Sequence, residues 1–369
     1  MDVILIPIEI WQIILISIDI KSQLMMRMRC KLFYKLNIYD LFNVTDNLKK
    51  RLTDEIIIQH RNLRFLCANF YTKITQKSII YLNLYKLDVN CNENIKDVNH
   101  MFYLKELTAG GRCGIDDNGI KYINLVKVDV CANTKITNIN HMTNLIKLNA
   151  SNNCGLNNNG IYNLNLNILI VGRNPHITNI NHFNNLRKLN ASYNCGLDDN
   201  GIKNLNLEIL NVNNNPKITN INHMTNLKKL QARKRSGIYT NGKNINLIKL
   251  IAKNNPKITD VSHMSNLKKL DASKYCGIND DGVRNINLKT LDIDFNSKII
   301  DLSHMTNLKK LYAENGYNID DKGLKNINLK TLKITRNSKI TDLNHMTNLS
   351  YLNIGWCENI NDNSLKNLI

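Results

Sequence analysis

From Leu63 onward, apolar and polar positions follow one template, L-x-x-L-x-(L/A/V)-x-x-(N/C)-x-x-(I/L), which returns every 20 or 21 residues. Its first leucines stand at 63, 84, 104, 125, 145, 166, 186, 207, 227, 247, 267, 288, 308, 329 and 349, fifteen units in all. Two unit types alternate: LIKLNASNNCGLNNNGIYNLN runs from Leu145 and LNILIVGRNPHITNINHFNN from Leu166. A period in the range of 20 to 50 residues marks a solenoid or array. The L-x-x-L-x-L stretch predicts a short strand with its leucines on one side, because successive side chains of a strand face opposite ways. One unit cannot cover those leucines, so neighbours must, and stability accrues roughly as a sum over neighbouring units. The predicted core is a long, narrow column. Parallel strands line a concave side, and units this short leave room only for short helices or 3₁₀ turns on the convex side.

The motif HMTNL starts at His141, His223, His304 and His345, with variants at His100, His182 and His263, so the histidines fall 41, 41, 41, 40, 41 and 41 residues apart. Equivalent positions two units apart lie about 10 Å from each other, whereas zinc needs its ligands about 2.0–2.1 Å away. No metal bridges consecutive members of such a series. The expected role is a turn histidine satisfying local backbone groups, with no metal and no cofactor. Cys113, Cys154, Cys195 and Cys276 keep the same register, with Ser236 taking one place, and read as buried ladder residues. Disulfides need Cα atoms within about 7 Å. The other five cysteines (30, 67, 91, 131 and 357) show no C-x-x-C spacing. Nine cysteines is an odd number, and a reducing, cytoplasmic compartment fits best.

Over residues 61 to 369 the chain resembles the leucine-rich repeat superfamily. CGLDDNGIKNL (195 to 205) is similar to the cysteine-containing repeats of F-box proteins, and ITNINHMTNLKKL (218 to 230) to short internalin and SDS-type repeats. The resemblance implies an α/β solenoid, a leucine-rich repeat horseshoe of about fifteen units.

The beginning of the chain differs. MDVILIPIEIWQIILISIDI is apolar, but it starts with Asp2 and carries Glu9 and Asp19, unlike a signal peptide. A spanning helix would bury Glu9 at a cost of several kcal/mol. The expectation is instead a compact helical domain: Pro7 suits a helix start, Glu9 its first turn, and Ile10, Ile13, Ile14 and Ile18 recur at helical spacing. A second helix is expected over 22–36, with Leu24, Met28 and Leu32 on one side.

These residues resemble the F-box through IPIEI (6 to 10), IL (14 to 15), ID (18 to 19) and QLMMRMRCKLF (23 to 33). Ile6 stands in place of Leu, Arg29 in place of Val and Phe33 in place of Trp. The resemblance implies a substrate receptor of a Skp, cullin and F-box ubiquitin ligase. Pro7, Glu9, Ile10, Ile14, Leu15 and Leu24 would face or support the Skp-type adaptor, with Cys30 and Phe33 in the packing. The implied organisation is an all-α F-box domain over 1–45, a linker or N-terminal cap over 46–60 and the repeats over 61–369. The composition and alternating units are also similar to F-box and repeat proteins of large DNA viruses of amoebae, where a viral member would borrow the host's cullin ligase.

No phosphate-binding, dinucleotide, zinc-protease or nucleophile-elbow motif occurs, and Asp198 and Asp199 belong to a repeated turn. The chain therefore reads as non-catalytic. With 49 Lys and Arg against 30 Asp and Glu, its formal charge is +19. Such a charge favours nucleic acid or acidic partners, although A/T-rich codons also enrich lysine. Within the six units from Leu145 to that at Leu247, the expected outward strand positions carry Lys147, Arg173, Lys188, Lys229, Arg233, Lys234, Lys249 and Lys253 and no acid, with Ile168, Ile170, Ile209, Ile251 and Tyr193 among them. That pattern suits a target protein whose acidic or phosphorylated peptide has apolar anchors. LQARKRSGIYTNGKN (230 to 244) departs most from the repeat and is the expected centre of target contact. Two further readings stand behind the receptor: an interaction scaffold with a degenerate F-box, and nucleic-acid binding on the basic face, which few stacking aromatics support. ENINDNSLKNLI reads as an ordinary repeat without a polar cap, and the expectation is that Leu365 and Leu368 are partly exposed or that this end is mobile.

Overall fold

The computed structural model describes residues 22, 40–43, 45–70, 72–239, 247–315 and 318–368. The F-box residues Pro7, Glu9, Ile10, Ile14, Leu15, Leu24, Cys30 and Phe33 lie outside them, as does the end of the divergent stretch, 240–244. The chain divides into two compact units, Met1–Ile170 and Val171–Ile369.

In the first unit the strands are β1 (Asp40–Leu41), β2 (Phe65–Cys67), β3 (Lys86–Asp88), β4 (Glu106–Thr108), β5 (Lys127–Asp129), β6 (Lys147–Asn149) and β7 (Ile168–Ile170), each parallel to the next in chain order. The second unit repeats the arrangement with β8 (Lys188–Asn190), β9 (Ile209–Asn211), β10 (Lys229–Gln231), β11 (Lys249–Ile251), β12 (Lys269–Asp271), β13 (Thr290–Asp292), β14 (Lys310–Glu314), β15 (Thr331–Thr335) and β16 (Tyr351–Asn353). Leucine pairs with leucine in the register, as in Leu230 with Leu250 and Leu250 with Leu270. In β6, β8 and β10 the middle residue of the triplet points inward and is buried, while its two neighbours face out. Burying each such leucine stabilises the stack by about 1.5–3 kcal/mol. This is the leucine-rich repeat solenoid that the spacing predicts.

The stack begins before Leu63. Residues 46–60, read from the sequence as a linker or cap, form α1 (Asp46–Lys49) and α2 (Asp54–Ile58), with Ile57 fully buried. Asp54 accepts hydrogen bonds from the Thr75 amide at 2.7 Å and from the Ser78 hydroxyl at 2.7 Å. The repeats use the same clasp: Asp199 accepts from the Thr219 amide at 2.7 Å and its hydroxyl at 2.6 Å. β1 therefore opens the sheet with a strand whose sequence hides its repeat character.

Opposite the strands the described residues make only short pieces: α3 (Gln76–Ile79), α4 (Asp280–Val283), α5 (Asp321–Leu324) and 3₁₀ turns such as Asn200–Ile202. Gly201 is required within that turn because a Cβ there would lie 2.1 Å from the Thr178 carbonyl oxygen. No helix among the described residues is long and apolar enough to cross a membrane.

Polar ladders tie successive repeats together within each unit. The Nε2 atoms of His100, His141, His223, His304 and His345 lie 2.9–3.2 Å from carbonyl oxygens 21 residues earlier, those of Ile79, Ile120, Ile202, Val283 and Leu324. Each of these carbonyls ends a short helix or turn, where the chain leaves acceptors unsatisfied. The recurring histidine is thus scaffold, as its spacing implies. A buried asparagine, such as Asn133, Asn215 or Asn296, donates to two carbonyls of the preceding units. Cys113, Cys154, Cys195 and Cys276 are buried, and burial pushes the thiols of Cys113, Cys195 and Cys276 up to about 11. Ser236 is equally buried, and its hydroxyl accepts from the Ile238 amide as the Cys113 sulfur does from Ile115. At the last repeat Leu365 and Leu368 are partly exposed and, with Leu349 and Leu352, line a shallow recess of about 300 Å³.

Candidate binding surfaces of the repeat sheet

Because the middle residue of each triplet is buried, the residues before and after it build two columns on the open sheet face. In the first unit Lys147 is exposed on β6, beside Lys127 of β5 on one side and Ile168 of β7 on the other. Ile168 and Ile170 are half-buried. Toward the start of this unit Glu106 pairs with both Lys86 and Lys127. Burial works against its charge, but those two lysines hold its pKa below the ordinary carboxylate value.

In the second unit the first column runs Lys188, Ile209, Lys229, Lys249 and Lys269 in consecutive register. Neighbouring strands are about 4.8 Å apart, so Lys229, Lys249 and Lys269 stand as adjacent like charges, an arrangement that costs stability. The second column changes character. Gln231 is followed by Ile251, 8% exposed, then by Asp271, Asp292 and Tyr312. Burial raises the Asp292 carboxyl above its ordinary pKa of 3.8; Asp271 beside it adds to the rise, and Lys253 opposes it. Asp294 is raised too, by burial and then by Glu314.

An open recess of about 440 Å³ lies on this face, lined by Arg233, Lys249, Lys269 and Lys310 together with Ile251, Asp271, Asp292 and Tyr312. Of the residues picked out from the sequence it gathers Arg233, Lys249 and Ile251. Lys188, Ile209 and Lys229 continue the cationic and apolar column. Asp271 and Asp292 lie at outward positions just past the acid-free units, where cations and acids mix, and Tyr312 carries no signal in the repeat pattern. The recess accordingly offers both charges, not the cations alone.

Arg173, Tyr193 and Lys234 are not on the sheet face. They sit where the chain turns away from the strands, with left-handed backbone at φ 60°, 59° and 58°, and the Arg173 guanidinium stacks over the Tyr193 ring at 4.7 Å.

No family model matches the sequence, and no curated protein does. Among solved structures the chain is similar to the functional domain of InlJ from Listeria monocytogenes, which includes a cysteine ladder (19% identity, TM-score 0.42, 83% of this chain and 65% of that one). It is also similar to a chain of the yeast Rad7 and Elc1 complex (14% identity, TM-score 0.40, 90% of this chain and 92% of that one). A third similarity is to the mouse RP105/MD-1 complex (12% identity, TM-score 0.43, 90% of this chain and 66% of that one). The chain thus spans 65% of the internalin domain's length.

Proposed function

We propose that the chain is a non-catalytic receptor, the substrate-recognition subunit of a Skp-cullin-F-box ubiquitin ligase. Its F-box-like residues 6–33 dock on the Skp-type adaptor, and the open sheet face of the second unit holds the target protein. The observation that carries target binding is the register of β10 to β14. It sets Lys249 and Lys269 of one column beside Ile251, Asp271, Asp292 and Tyr312 of the next around one recess, with Lys229 continuing the cationic column. Like charges side by side destabilise a sheet, so a face that keeps them gains most from a partner of complementary charge. The fitting ligand is an extended peptide with an apolar or aromatic anchor for Ile251 and Tyr312, an acidic flank for the lysines and a basic flank for the aspartates. The adaptor half of the reading rests on the F-box resemblance of residues 6–33.

Selection of displayed peptides on the full chain tests target recognition. Enriched sequences should carry the two opposite flanks around an anchor, and Lys249→Asp together with Asp271→Lys should reverse the order of the flanks. Selection that ignores the double exchange would remove the sheet face from target recognition.

A further inference from the structure

In fourteen consecutive repeats, from that of Leu84 to that of Leu349, the residue seven past the first leucine is left-handed, with φ between 52° and 63°. Residues other than glycine or asparagine pay about 1–2 kcal/mol there. In the first unit the position holds Cys91, Gly111, Ala132 and Asn152, all small. The second unit uses asparagine at 214, 254 and 315 and elsewhere only cations or aromatics: Arg173, Tyr193, Lys234, Lys274, Phe295, Arg336 and Trp356. Asparagine already satisfies the fold, so the fold does not call for these bulky residues. Codon bias toward lysine does not supply the rings: the chain has two tryptophans, and Trp356 stands here 82% exposed. Strain kept at exposed positions points to a use.

Three of these side chains, Arg173, Tyr193 and Lys234, come together in one stretch. Arg173, Tyr193, Asn194, Asn214, Pro216 and Arg235 line an open recess of about 610 Å³. A second, of about 390 Å³, shares Asn214, Pro216 and Arg235 and continues to Lys234, Pro256 and Lys257. No carboxylate lines either recess, and neither shares a lining residue with the sheet-face recess. Cations beside the flat ring of Tyr193 and two prolines, with amides between them, are elements that hold unpaired bases and their phosphates. A phosphorylated peptide would use the cations and leave the flat surfaces idle.

We propose that this trough binds single-stranded nucleic acid, with a base stacked on Tyr193 and phosphates at Arg173, Lys234, Arg235 and Lys257. The site is independent of the target face and of the adaptor.

Fluorescence anisotropy of a labelled oligouridine of about ten nucleotides with the full chain tests it. Binding should weaken with salt at a log–log slope near −3, about −0.7 for each of four phosphates, and should exceed binding to a duplex of the same length. Tyr193→Asn and Arg173→Asn should each lower affinity about tenfold while raising the melting temperature, because asparagine suits the left-handed backbone. Lys96→Asn, which removes an exposed cation of the first unit, should change affinity less than about twofold. The proposal is overturned by absence of binding at low salt, by equal losses from Lys96→Asn and Arg173→Asn, or by equal affinity for the duplex or for a phosphoserine peptide of equal charge.

Discussion

The Nδ2 of Asn215 donates to the carbonyl oxygen of Ala191, 24 residues earlier, at 2.9 Å. The same amide reaches the Leu197 carbonyl at 3.3 Å, and the Asn215 side-chain oxygen accepts from the Lys217 amide at 3.0 Å. Asn215 is fully buried, so no water replaces it. Asn215→Ala should therefore cost about 2–4 kcal/mol, since two acceptors and a donor lose their partner, and should shift the urea midpoint without touching either recess. A loss below about 1 kcal/mol would show that the asparagine ladder is not what clamps successive repeats.

The histidine series makes a smaller contribution. His141 is half in solvent and caps one carbonyl, that of Ile120, at 3.0 Å. His141→Ala should cost about 1 kcal/mol, and the same variant should melt identically with and without zinc. A zinc-dependent stabilisation of the wild type that vanishes in the variant would return the series to metal binding.

The cysteine ladder should be chemically quiet. Burial pushes the Cys195 thiol up to about 11, and Cys113 and Cys276 likewise, so little thiolate is present at about pH 8, where alkylation is run. In the native chain the half-exposed Cys91 and Cys131 should be labelled well before the three ladder thiols, as peptide mapping would show. Cys195→Ser should be tolerated within about 1.5 kcal/mol, because Ser236 already fills the same place.

At the sheet face the sign of the pH effect follows from Asp292. Its folded pKa is raised, chiefly by burial, so its negative charge costs stability above that pKa, and the cost fades as pH falls toward the ordinary 3.8. Asp292→Asn should thus stabilise the protein at neutral pH, by less than about 1 kcal/mol after solvent screening. The gain should shrink on acidification when paired denaturation curves are taken across pH 4 to 7. A gain that is constant with pH would mean that Asp292 titrates as a free carboxyl.

Most of the fold is legible in the chain, because a strict repeat states its own register: Leu230, Leu250 and Leu270 stack where the spacing puts them. The histidines and the serine at 236 were legible for the same reason. β1 was not, since Asp40–Leu41 lacks the leucine template and is recruited by pairing with Phe65 and Leu66. The sites were less legible. Sequence distance along a unit does not reveal that the strand covers only two outward positions, so the pattern puts Arg173, Tyr193 and Lys234 on the face although the backbone turns them away from it. Nor does a count of cations within six units show that Asp271 and Asp292 close the same recess.

Calorimetric titration of the full chain with a Skp-type adaptor, beside a Leu15→Glu variant, tests the receptor reading most directly. Binding in the submicromolar range that the variant loses, with its thermal unfolding unchanged, is the predicted result. A folded wild type that takes up no adaptor would contradict the ligase role and leave an interaction scaffold built on the same repeats.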